Sequence, residues 1–273
     1  VMKLLLFLVR RVLSLRYRVK LEWTEHLKHD GPVLVLPNHV ALVDPRIMLS
    51  FLWKYLPVSP VASEKYYNKP IFKQIMSAMG TVPIWEMSAW ADPEKVKEVF
   101  QKVVDALWSG KNILIYPSGQ IYRQWYESIK WKQSVYSIAQ MMPENTKVIW
   151  IKDRGLWWSI WSMAWDNWKT GFFWIYWKCV WYVISNLIFF VPKRDVNIEI
   201  EDITDQINTY KNMSLNEFNW YLENFYNTWK DWKDFVEEVK YLKHYFYFND
   251  VGGRKEPEMI TWSEKELNSV KEY

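Results

Sequence analysis

The chain has 273 residues, 50% hydrophobic and 24% charged, which excludes an intrinsically disordered chain and leaves room for one large α/β domain or two small ones. The formal net charge of +4 is too small for a nucleic-acid-binding surface, and no DNA- or RNA-binding motif accompanies it; a mild positive excess suits an anionic membrane surface or anionic ligands. The single cysteine, Cys179, cannot form an internal disulfide, which fits a reducing cytosolic compartment.

Residues 1–20, VMKLLLFLVRRVLSLRYRVK, place Leu5, Leu8, Val9, Val12 and Leu15 on one helical face, with Arg10 and Ser14 opposite. The apolar run after Lys3 is too short for a signal-peptide core or for a membrane span of about 20 residues. The expectation is an amphipathic helix in the lipid interface, the alternative being a first helix packed on the domain with its arginines in water. In EHLKH, His26 and His29 have the wrong order for a zinc-protease helix and point to a solvated helix rather than a metal site.

Val33–Leu36, after Gly31-Pro32, form a continuous apolar strand of the kind covered on both faces of a sheet. Residues 112–119 (NILIYPSG) and 147–151 (KVIWI) read as two further strands, with helical patterns at 45–55, 69–79, 93–108 and 133–142. Strands alternating with helices imply an α/β fold with a mostly parallel central sheet flanked by helices. Residues 172–191 form an apolar stretch interrupted by Lys178 and Asn186, expected as a helix on the domain or in the interface because PKRDVNIEIED follows as a strand that rejoins the sheet. The charged tail from 249 onward is peripheral. The resulting division is an interfacial helix (1–20), one main domain (21–248) and a tail (249–273).

In parallel sheets ligands bind beyond the carboxyl ends of the strands, where both PNH (37–39) and YPSG (116–119) fall. In PNHVALVD, a histidine five residues before an aspartate can bond one ring nitrogen to the carboxylate. The other nitrogen is then free to take a proton from a hydroxyl. The competing explanation is an ordinary helix start, with Asp44 as N-cap and Pro45 at the first helical position.

PNHVALVD also resembles the NHxxxxD motif of the lysophospholipid acyltransferase family, the 1-acylglycerol-3-phosphate acyltransferases and their relatives. GTVPIWE (80–86), YPSGQIYR (116–123) and VIWIKDRGLW (148–157) resemble the family's later blocks in order and spacing, over about residues 17–248. The RGLW portion is most similar to acyltransferase domains fused to acyl-carrier-protein synthetases. The resemblance implies a glycerolipid-acyltransferase-like fold and direct acyl transfer, without metal or other cofactor. His39 would deprotonate the acceptor hydroxyl, which attacks an acyl thioester, and Asp44 would fix the imidazole tautomer. The loop at Asn38 or Gly119 would supply oxyanion donors.

The implied partners are acyl-carrier protein or acyl-CoA as donor, a lysophospholipid-type acceptor, and a membrane surface on the cytoplasmic side. Departures from the motif bear on the acceptor: the block-three glutamate is Ser118 here, and the arginine expected just after Gly119 is absent unless Arg123 or Arg154 replaces it. Asn38, Ser118, Gly119, Arg123 and Arg154 are therefore the expected substrate-binding residues. Alternatives are a non-phosphate acceptor, or a catalytically silent lipid-binding domain of the same fold.

Twenty tryptophans accompany eight glycines, whereas a usual share of about 7% would give roughly nineteen glycines. Trp157, Trp174 and Trp181 suit a membrane belt or a core. Several others fall in polar turn contexts (LEWTE, IKWKQ, DNWKT, KDWKD), and glycine in the last two would restore Asn-Gly and Asp-Gly turns. Some genetic codes read UGA as glycine, so Trp23, Trp131, Trp158, Trp168 and Trp232 are expected to be glycines written as tryptophan.

Overall fold

Apolar residues that fill a strand without alternation need cover on both faces, and β2 (Val33–Pro37) and β6 (Lys147–Arg154) have it. Val33–Leu36 and Val148–Ile151 are buried from end to end. These two strands pair in parallel, Leu34 opposite Val148 and Pro37 opposite Ile151, at the centre of a seven-stranded sheet. The structure, a computed structural model, describes residues 2–68, 70–84, 93–121, 127–156, 177, 180 and 193–227. Residues Val1–Thr228 form one compact unit; the 249–273 tail lies outside the described residues.

The other strands are β1 (Tyr17–Glu22), β3 (Ser59–Ser63), β4 (Val82–Ile84), β5 (Ile113–Leu114) and β7 (Arg194–Asp202), in the spatial order β1-β7-β6-β2-β5-β3-β4. From β6 to β4 every pairing is parallel; β7 runs antiparallel to β6, and β1 pairs in parallel with β7. The mostly parallel α/β sheet expected from the sequence is thus present, and so is the return strand at PKRDVNIEIED.

Helices α1 (Met2–Ser14), α2 (Asp44–Leu52), α3 (Glu64–Tyr67), α4 (Pro70–Ala78), α5 (Pro93–Trp108), α6 (Ser134–Met141), α7 (Thr204–Tyr210) and α8 (Leu215–Asn227) flank the sheet. Phe100, Val103, Val104 and Leu107 recur at helical spacing on α5, as do Phe218, Leu222 and Tyr226 on α8. Both stripes enter one core with Leu34, Leu36, Ile113, Val148 and Trp150. At about 25 cal/mol per Å² of apolar surface removed from water, this shared burial is the main force holding helices to sheet.

Three expectations need correction. The N-terminal helix ends at Ser14 rather than near 20, because Tyr17–Glu22 pair along β7 as an edge strand whose outward positions are polar and mimic a helix's wet face. The strand expected over 112–119 keeps only Ile113–Leu114 in the ladder, because the chain from Tyr116 turns and the Gly119 N–H bonds the Tyr116 carbonyl at 2.9 Å. The solvated helix at EHLKH is a single 3-10 turn, Thr24–Leu27, with a His29 ring nitrogen 2.9 Å from the Asn145 carbonyl oxygen.

Helix α1 lies against α2 and buries Leu6, while Leu4, Phe7, Leu8, Val12 and Leu15 face outward. Among the described residues no helix is long and apolar enough to cross a membrane. The 172–191 stretch lies outside the described residues apart from Trp177 and Val180.

Gly155 has a φ of 97°, and a β-carbon there would collide with the Asp195 carbonyl oxygen, so the RGLW turn requires glycine. Trp23 has a φ of 57° and ψ of 44°, the left-handed region that favours glycine, and is 40% exposed. Trp131 is 59% exposed and follows Lys130, itself at φ 54°. Trp157, Trp158, Trp168, Trp174, Trp181 and Trp232 lie outside the described residues.

Candidate active site

Beyond Pro37 the chain leaves β2 but stays tied to its neighbour. The Asn38 N–H bonds the Ile151 carbonyl at 3.2 Å. Its side-chain amide spans the main chain of Asp153, donating to the carbonyl at 3.1 Å and accepting from the N–H at 2.7 Å. Asn38 is therefore a buried clip between the ends of β2 and β6. It sets the point from which His39 emerges.

His39 Nδ1 lies 3.2 Å from Asp44 Oδ2, so the hydrogen bond expected from the five-residue spacing is present. The same oxygen accepts the N–H groups of Val40 at 2.6 Å and Ala41 at 2.8 Å. Asp44 stands in the first turn of α2 with Pro45 behind it, but the N-cap is Val43 and has no side-chain cap. The carboxylate turns back onto the histidine loop, so the ordinary helix-cap explanation fails. Burial raises the Asp44 pKa, opposed by the bond and charge of His39 and by the two backbone donors. With Nδ1 donating to Asp44, Nε2 carries the lone pair.

The turn after β5 completes one wall. Tyr116 stacks on His39 with ring centroids 4.1 Å apart, which holds the imidazole plane. Among the described residues its buried hydroxyl has no hydrogen-bond partner, and burial followed by the charges of Asp44, Asp153 and Glu127 pushes the phenol pKa well upward. Ser118 is fully buried and donates to the Gln120 carbonyl at 3.2 Å. Gly119 adopts φ 63° and spends its N–H on the turn. The expected oxyanion donors at Asn38 and Gly119 are thus both committed elsewhere.

Arg154 ends β6 on the expected side, but its guanidinium is held by Glu199 of β7 at 3.0 Å. Arg123 lies outside the described residues. Among the described residues no group of three or more His, Cys, Asp or Glu side chains could hold a metal ion.

Sequence inspection missed two members of the site. Tyr116 follows the apolar run Ile113–Ile115, which presents it in sequence as one more strand residue. Glu127 lay beyond it, yet its Oε2 accepts the His39 N–H at 3.2 Å and its side chain is 1% exposed. Burial raises its pKa to about 8, against a lowering by Ser118 and by the His39 N–H, with Asp44 and Glu223 adding to the rise. The available signal was the absent acid at 118, which invites a search for a carboxylate nearby.

A histidine–aspartate pair at the carboxyl end of a buried parallel strand defines a candidate proton-transfer site in an α/β sheet, and residues 18–152 match the family model described as Acyltransferase. The fold is similar to that of the crystal structure of PlsC, the 1-acyl-sn-glycerophosphate (LPA) acyltransferase from Thermotoga maritima. That match has 18% identity and a TM-score of 0.55, over 88% of this chain and 79% of that one. No curated protein matches. The family-model match thus spans residues 18–152, and the fold over most of the chain is the one that PlsC has.

Proposed function

We propose that the protein transfers a fatty acyl group from an acyl thioester, carried by acyl-carrier protein or coenzyme A, to the hydroxyl of a lysophospholipid or 1-acylglycerol-3-phosphate. The observation that carries this reading is the His39–Asp44 hydrogen bond beside a stacked Tyr116. His39 Nε2 takes the acceptor's hydroxyl proton as its oxygen attacks the thioester carbon. The tetrahedral intermediate then expels the thiolate, which leaves as the thiol with the proton from the imidazolium. Asp44 holds Nδ1 and offsets the transient imidazolium charge.

The exposed apolar residues of α1, with Arg10 and Arg11 beside them, support work at a membrane surface; we place the protein on its cytoplasmic side. A second reading, acylation of an acceptor without phosphate, is favoured by the Arg154–Glu199 ion pair, which occupies a cation that would otherwise meet phosphate. The test offers purified protein acyl-CoA and acyl-carrier-protein donors with phosphate-bearing and phosphate-free lysolipids, and identifies products by mass spectrometry. Acylated product from the wild type and none from His39→Ala is the expected result. Equal product from both variants would remove His39 from the chemistry.

A further inference from the structure

Glu127 is the buried titratable group that the acyl-transfer scheme leaves without a task. No ion pair to it exists among the described residues, and its hydrogen-bonding neighbours there are the Ser118 side chain and the His39 N–H. A carboxyl removed from water without a cation is costly, so what holds it there matters.

The hold comes from α8. Asn219, Glu223 and Asn227 recur every four residues and form one polar stripe along the helix. The Asn219 amide donates to the Lys130 and Lys132 carbonyls at 2.7 and 2.9 Å. Glu223 Oε1 accepts the Ser128 hydroxyl at 3.3 Å, the Lys130 N–H at 2.7 Å and the Ile129 N–H. Asn227 accepts the Glu127 N–H and donates to the Glu127 carbonyl, both at 2.8 Å. One residue earlier, the Tyr226 hydroxyl donates to the Leu36 carbonyl at 2.7 Å, within the strand that presents His39. The helix thus fixes the 127–132 segment and β2 together.

We propose that Glu127 is a positioning residue of the His39–Asp44 pair: clamped by α8, its carboxyl holds the His39 main chain while Asp44 holds the ring. The inference rests on acyl transfer being the reaction of His39. Two anchors on one residue, one on the backbone and one on Nδ1, leave the imidazole little freedom, and misplacement by about 1 Å can cost 100-fold in rate. The missing acid of the YPSG block is answered from a different segment, since Ser118 lies beside Glu127.

Among the described residues, the groups facing Glu127 are His39 and Asp44 across the histidine loop, Tyr116 and Ser118 from the turn after β5, and Glu223 from α8; Asp153 of β6 joins them around the Tyr116 phenol. Every formal charge in that set other than the imidazole is negative, so proton loss from Glu127 adds a further negative charge beside the dyad.

The experiment compares wild type, Glu127→Gln and Glu127→Ala in acyl-transfer rates from pH 5.5 to 9.5, with NMR titration of the His39 imidazole in each. Glu127→Ala should lower kcat at least tenfold with KM within threefold. Glu127→Gln should recover most of that loss below pH 7, because its amide oxygen still accepts the His39 N–H. The wild-type imidazole resonances should show an inflection near pH 8 that Glu127→Gln lacks. Equal losses of kcat in both variants, or an inflection that persists in Glu127→Gln, would overturn the proposal. The NMR arm needs no substrate, so an absent transferase activity with the inflection present would instead overturn the acyl-transfer reading. If Glu127→Ala does not fold, the Glu127→Gln comparison decides alone.

Discussion

Asn227 and Glu127 exchange two hydrogen bonds of 2.8 Å across 100 positions of sequence, each giving one donor and one acceptor. Asn227 is the last residue of α8, and its side-chain hydrogen bonds among the described residues go to Glu127 rather than to the dyad, so its effect passes through residue 127. Asn227→Ala removes both bonds, each worth about 0.5–1.5 kcal/mol net. The expected outcome is a lower thermal midpoint together with a fall in kcat at nearly constant KM, measured by melting curves and steady-state kinetics. A fall in midpoint with kcat intact would uncouple α8 from the site.

The dyad itself makes a sharper prediction. His39→Ala should lose about 10²–10⁴-fold in rate, the usual worth of a general base, while circular dichroism remains that of the wild type. Asp44→Ala should also lose rate, and in addition lose stability, because Oδ2 serves two main-chain N–H groups besides the ring and alanine offers no acceptor for them.

Stability should depend on pH in a specific direction. The Glu127 carboxyl has an ordinary pKa of 4.5 and is raised to about 8 in the fold. Between these values the folded state holds a proton that the unfolded chain has released, so stability falls as pH rises, at up to about 1.4 kcal/mol per pH unit. Asp44 is raised by burial and acts in the same sense. Urea unfolding at pH 5, 6.5 and 8 should show this decline, reduced in Glu127→Gln; the same slope in that variant would assign it to other groups.

Membrane association should depend on the outward face of α1. Replacing Leu4, Leu8, Val12 and Leu15 with serine leaves buried Leu6 and the β1–β7 pairing in place. The substituted protein should sediment more weakly with anionic vesicles and keep its thermal midpoint. Unchanged sedimentation would make α1 a purely structural helix.

Trp23 should be replaceable by glycine with a gain. A non-glycine residue in the left-handed region costs on the order of 1–3 kcal/mol, a strain that glycine at 23 would not carry. Trp23→Gly should raise the melting temperature, and peptide mass spectrometry of protein from its native source should show glycine at 23. Tryptophan there and at 131, 158, 168 and 232 would end the recoding explanation.

Legibility in the sequence followed burial on two faces. β2, β6 and α5 carry continuous or 3.6-periodic apolar residues, and each appears where its pattern placed it. β1 and β3 escaped because YRVKLE is a half-wet edge strand and SPVAS offers one strong strand former. The His39–Asp44 pair could be read because five residues of spacing bring the partners together within one loop and one helical turn. Glu127 could not, since its contact with His39 spans 88 positions and depends on α8 being docked. Asn38 matches the motif and Ser118 departs from it, but hydrogen bonds to neighbouring main chain, invisible in sequence, turn both inward.

The polar stripe of α8 also sets an order of events during synthesis. Residues 39 and 44 emerge from the ribosome early, whereas Asn219, Glu223 and Asn227 emerge about 180 residues later. At about 5–20 residues per second, the nascent chain carries its histidine and aspartate for roughly ten to forty seconds before the helix that steadies Glu127 exists. The dyad is therefore complete in composition long before it is complete in geometry, and full support arrives only once the last turn of α8 has been made.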